Sequence, residues 1–158
     1  MSMLLPDMVV LMPKLKVNYK PCVACPYRKD CPSGLWDRSE YEKLPTYDND
    51  TCYQPTGVFL CHDADRKHTV CKGWLDVHDK NHLLSLRLAS FANDISDLME
   101  SEKTDVPLFK SGAEAHKHGI KDIECPSKDT LDKMQQLIAR HPDVNYNKTK
   151  VKKSRKKS

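Results

Sequence analysis

Six of the seven cysteines lie between Cys22 and Cys71, and two of them form the turn Cys22-Val-Ala-Cys25 with Pro26 directly behind it. Two thiolates in a CxxC turn point at one ion, so the chemistry implied is metal binding. The cysteines and nearby histidines of this stretch are Cys22, Cys25, Cys31, Cys52, Cys61, His62, His68 and Cys71. A tetrahedral ion needs four ligands. The preferred set is Cys22, Cys25, Cys61 and Cys71, with Cys31 and His62 as alternates. Pro26 stiffens the first turn, Asp63 to Val70 makes a polar excursion that returns at Cys71, and Gly73-Trp74 allows a close backbone turn with a bulky lid.

In a zinc ribbon the second cysteine pair is again separated by two residues. Here Cys61 and Cys71 are much further apart, so the pattern points to a metal without naming a finger type. Zn2+ is the expected ion. The string Cys22-x2-Cys25-x5-Cys31 also allows a 4Fe-4S cluster, three thiolates coming from one loop and a fourth from a distance. Cys125 stands apart, with no motif around it that places a base or an oxyanion hole, so an enzyme is not the expected reading.

The elements that must hold these ligands are short. Asp37 caps a helical turn with Glu40 in the capping-box position and Pro45 behind it, which predicts Leu35, Tyr41 and Leu44 as buried. Val58 to Cys61 reads as a short strand or knuckle. A long helix is expected from about Asp79 to Glu100, because Leu84, Leu88, Phe91, Ile95 and Leu98 form one stripe at helical spacing. Ser111 caps a further helix that Gly119 ends in the left-handed position. The last helix runs from Asp129 to about Arg140 with Leu131, Met134, Leu137 and Ile138 on one face. The expected fold is small α+β, an irregular metal-knuckle module followed by helices. The expected divisions are an N-terminal segment 1–19, a cysteine-rich module 20–77, a helical region 78–145 and a disordered basic tail 146–158.

With 39% hydrophobic and 30% charged residues, the chain of 158 residues is wetter than average yet above a disordered composition. The net charge of +4 hides an asymmetry: Lys148, Lys150, Lys152, Lys153, Arg155, Lys156 and Lys157 follow the last acid, and removing these seven leaves −3 for the rest. Nucleic-acid contact is therefore assigned to the tail, through Lys150, Lys152, Lys153, Arg155, Lys156 and Lys157, and not to bulk charge on the body. No stretch approaches a membrane span, and Met1 to Val17 lacks the basic start of a signal peptide. A cytoplasmic, reducing setting follows as the expectation, in which clustered cysteines serve as ligands.

Cys22 to Trp36 (CVACPYRKDCPSGLW), Glu40 to Asp48 (EYEKLPTYD), Phe59 to His62 (FLCH) and Cys71 to Leu75 (CKGWL) together resemble an uncharacterised family of small cysteine-rich proteins of bacteriophages and actinobacteria. The CxxCP, CH and CxGW elements recur there in this order. The resemblance implies the same quartet and a cytoplasmic, host-cell setting, and supplies no reaction. The CxxCPxRxxC string is more weakly similar to the WhiB-like iron-sulfur transcription factors, whose upstream fourth cysteine has no counterpart before Cys22. The function expected is a metal-stabilised, non-enzymatic binding or regulatory module contacting nucleic acid or a host protein. The alternative is an iron-sulfur redox or regulatory protein.

Overall fold

The computed structural model describes residues 12–63, 67–148 and 150. The small α+β class is the one observed: two two-residue strands, β1 (Lys16–Val17) and β2 (Thr69–Val70), and six helices among the described residues. In chain order these are α1 (Arg38–Glu42), α2 (Lys72–Val77), α3 (Leu84–Ala89), α4 (Ser96–Glu100), α5 (Gly112–Ile120) and α6 (Lys128–Arg140). Strands β1 and β2 pair in parallel, Lys16 opposite Thr69 and Val17 opposite Val70.

Short elements are held by capping and by a shared core. Asp37 caps α1 through the Ser39 amide, and Leu35, Tyr41 and Leu44 are buried as expected. Glu40 does not complete the reciprocal box; its carboxylate turns to Lys43 and His62. Ser111 caps α5 through the Glu114 amide and Ser127 caps α6 through that of Thr130. The inward face of α6 carries Met134 and Leu137, both buried, with Leu131 and Ile138 packed beside them. On α2 the buried pair Lys72–Asp76, 2.9 Å apart, is satisfied further by the Glu102 carbonyl and the Thr104 amide, which ties residues 102–104 to the helix.

Further sequence expectations fail here. The long helix from Asp79 to Glu100 is broken into a 3-10 turn, α3 and α4, and the expected stripe is not a core face: Leu88 is 42% exposed and Phe91 83%. Ser90 and Asn93 explain the break, since their side chains bond the Arg87 and Ala89 carbonyls and offer the backbone an alternative to the helical ladder. Residues 13–15 then pair with Asp94, whose amide donates to the Pro13 carbonyl at 2.9 Å and whose carbonyl accepts from Leu15 at 3.0 Å. Leu83, Leu86 and Leu98 are the apolar side chains buried in this stretch, with Ser85 buried among them.

Gly119 is likewise not a left-handed cap. It lies within α5, and Gly34, at φ +75°, is the one positive-φ residue described. A side chain at 119 would run into the Tyr41 ring, so the small residue is set by helix α5 lying on α1.

Candidate metal centre

The cysteine loops are positioned from both ends of the excursion. Leu60 bridges Val70 in antiparallel fashion, the Cys61 amide donates to Thr69 and the Cys71 amide to Phe59, both at 2.8 Å. This places Cys61 and Cys71 on one narrow ribbon beside β1. The opposite wall is the Cys22–Cys25 turn, closed by the Cys25 amide donating to the Cys22 carbonyl at 3.0 Å. Trp36 holds that turn in place, its indole N–H donating to the Ala24 carbonyl at 2.9 Å.

Across the gap the thiols meet in two pairs. Cys25 Sγ lies 3.6 Å from Cys71 Sγ, and Cys22 is hydrogen bonded to Cys61. Among the described residues no three or more Cys, His, Asp or Glu side chains are close enough to hold an ion as they stand. The paired thiols are nonetheless one neighbourhood: Cys22 feels the charge of Cys25 and Cys61, and Cys71 that of Cys25 and Cys22. The hydrogen bond to Cys61 and then burial push the Cys22 thiol up, and the bond to Cys25 followed by burial does the same for Cys71. Backbone and side-chain donors face the sulfurs. The Trp74 amide reaches Cys71 Sγ at 3.5 Å, the Asn18 side-chain amide reaches Cys61 Sγ at 3.9 Å, and the Ala24 amide bonds Cys22.

Gly73 opens α2 instead of making the expected turn, and Trp74 behind it is fully buried, with an indole N–H that has no partner among the described residues. The reason for glycine is contact. A Cβ at 73 would lie 2.5 Å from Cys25 Sγ and 2.9 Å from Tyr27 Cβ. Gly73→Ala is therefore expected to cost about 1–3 kcal/mol by overpacking, read as a lower urea midpoint.

The two alternates have other contacts. Cys31 is buried with its thiol pushed up to about 12, first by burial and then by Cys25, and its sulfur faces the Pro32 carbonyl at 3.9 Å. His62 packs against Trp36 at 4.3 Å between ring centres and a 48° tilt, and sets Nε2 3.4 Å from Glu40 Oε2. Cys52 and Cys125 are exposed. Of the basic tail, Lys150 is ion paired with Glu124 at 2.7 Å, whereas Lys152, Lys153, Arg155, Lys156 and Lys157 lie outside the described residues.

Burial pushes the Glu40 carboxyl up, but the hydrogen bonds and charges of His62 and Lys43 outweigh it and hold it at about 2. A carboxyl lowered on folding stabilises the protein above its ordinary value of 4.5, and that gain is lost as pH falls toward 2. With the site partly open to solvent, Glu40→Gln is expected to cost on the order of 1–2 kcal/mol at pH 7. The difference from the parent should close near pH 2 in urea titrations.

The profile of DUF6283, described as a family of unknown function, matches residues 17–142. The chain belongs to this family. The matched stretch holds all of the cysteine quartet, the Trp36 anchor and helices α1 to α6. No curated protein and no solved structure matches the chain. Among the described residues, no helix is long and apolar enough to cross a membrane.

Sequence reasoning missed Asn18 and Ala24 as supports of the site, whereas packing of Trp36 around it is the ordinary expectation for such an aromatic. Trp36 carried a signal in Gly34, whose positive φ turns the chain just before the indole; the Asn18 and Ala24 contacts depend on tertiary placement and left no pattern.

Proposed function

We propose that this DUF6283 protein is a zinc-stabilised, non-enzymatic binding module that contacts nucleic acid through its C-terminal basic arm. The observation that carries the metal half is the 3.6 Å separation of Cys25 and Cys71 sulfurs drawn from two distant loops. Thiolates about 2.3 Å from one tetrahedral ion stand about 3.8 Å from each other, so this pair needs little movement to share a zinc. Cys22 and Cys61 would complete the set by closing on the same point. The N–H donors facing Cys22, Cys61 and Cys71 support it further, because hydrogen bonds to sulfur favour the thiolate and orient the ligand. The 4Fe-4S alternative fits less well: thiolates on different irons are separated by an iron–iron edge as well as two bonds, further than this pair.

Cys25, Cys61 and Cys71 are buried, which suits a structural clip better than a reacting thiol. The cytoplasmic and phage-related setting belongs to the same proposal. It is supported by the thiol chemistry and by the resemblance of the CxxCP, CH and CxGW elements. A host protein is the other partner class this reading admits.

Elemental assay of anaerobically purified, unchelated protein tests the metal. One zinc per chain in a colourless sample is expected; about four irons with visible absorbance would establish the redox alternative, and neither metal would end both. For the arm, filter binding should compare the full chain with one ending at Asn147, the residue whose side chain still bonds the Gly34 and Ile123 carbonyls. Seven phosphate contacts on duplex DNA give a salt slope of about six. Equal, salt-insensitive weak binding by both chains would remove the nucleic-acid reading.

A further inference from the structure

We propose that the depression between the cysteine loop and α5 is a second contact for single-stranded nucleic acid, with Lys29, Lys117 and Lys121 taking phosphates and the Phe109–His118 ring pair seating a base. This rests on the nucleic-acid reading above and extends it from the arm to the folded body. The depression has a volume of about 620 Å³ and is lined by Lys29, Phe109, Glu114, Lys117, His118 and Lys121.

Backbone pairing assembles it. The Phe109 amide donates to the Tyr27 carbonyl at 2.9 Å, the Lys29 amide donates to Pro107 at 3.2 Å, and Arg28 bridges Leu108 in antiparallel fashion. Lys29 is thereby set beside the aromatic floor. His118 is fixed by Nε2 donating to the Cys31 carbonyl at 2.7 Å, and its ring centre lies 5.0 Å from that of Phe109 at a 38° tilt.

Charge decides the kind of partner. Lys29, Lys117 and Lys121 are exposed, and among the described residues none of them forms an ion pair. Glu114, the one acid of the lining, spends a carboxylate oxygen on the Lys110 amide at 2.9 Å. Lys117 and Lys121 are four apart on one helix face, where like charges repel. A helix C-terminus favours cations and accounts for those two, but Lys29 arrives from a separate loop. Cations around paired rings suit an unstacked base with its phosphates, the combination used by single-strand binders. An acidic peptide would use the lysines and leave the rings idle, and a duplex keeps its bases stacked away from them.

The test uses the full chain as purified, in four forms: parent; a tail variant with Lys152, Lys153, Arg155, Lys156 and Lys157 changed to glutamine; the patch variant Lys29→Glu, Lys117→Glu, Lys121→Glu; and both combined. Fluorescence anisotropy with a labelled oligothymidylate is recorded at several salt concentrations, with circular dichroism melts as a check on folding. In the tail variant's background, the patch changes are expected to weaken binding at least about tenfold and lower the salt slope by about two. Phe109→Leu should weaken binding about tenfold without changing the slope. Unchanged affinity on patch reversal, or equal competition by a polyglutamate of the same charge, overturns the patch. Loss of all binding in the tail variant alone overturns the patch while leaving the arm intact, and no binding by the parent removes both.

Discussion

Replacing Cys25 by serine is expected to abolish metal retention and unfold the amino-terminal half, the largest single effect open to this chain. Cys25 is fully buried with its sulfur 3.6 Å from that of Cys71, so under the proposed zinc reading a hydroxyl there would remove a ligand and leave a buried polar group without an ion. Structural zinc sites contribute roughly 10–16 kcal/mol of apparent binding free energy, as much as the whole stability of an ordinary domain. Zinc content should fall from one per chain to below about a tenth, with loss of the cooperative melt. Cys125→Ser is the control: that side chain is exposed, and its replacement should stay within about 0.5 kcal/mol of the parent. Equal melting of the two variants would show that Cys25 has no special role.

The second large effect is expected from Trp36→Ala. The indole is 1% exposed, stacks on Tyr146 at 4.8 Å, packs against the tilted His62 ring at 4.3 Å, and donates to the Ala24 carbonyl inside the CxxC turn. Truncating a buried tryptophan costs about 3–5 kcal/mol through lost transfer energy and the cavity left behind. Because the indole N–H also fixes the turn between two of the proposed ligands, that reading expects a loss of zinc affinity on the order of 10–100-fold to accompany the fall in stability. Trp36→Phe separates the two, since it refills most of the volume without the donor: stability should recover in part, and affinity should not. Chelator competition followed beside urea denaturation reads both quantities.

Local signals were legible where one residue decides the outcome. Asp37, Ser111 and the polar start of α6 mark helix starts that the structure places within a residue or so, because a cap needs only its own turn. The burial of Leu35, Tyr41 and Leu44 followed from the same helix. The stripe from Leu84 to Leu98 misled because periodicity reports a helix only if nothing competes for its carbonyls, and Ser90 and Asn93 do. The pairing of β1 with β2 had no pattern to find, being two residues long on each side and joining segments far apart in sequence. In the site, residue type and clustering named four cysteines; which thiol faces which is set by the Leu60–Val70 ribbon, and spacing alone does not contain it.

Both thiol pairs, Cys22 with Cys61 and Cys25 with Cys71, reach across the chain, the latter over 46 residues. A nascent polypeptide emerging from the ribosome therefore presents its first two cysteines long before their mates exist, and the early segment must wait with reactive sulfur uncovered. Release of the stretch beyond Trp74 is the event that lets the two pairs close, so under the proposed zinc reading metal supply and chaperone cover should matter most during that interval of synthesis.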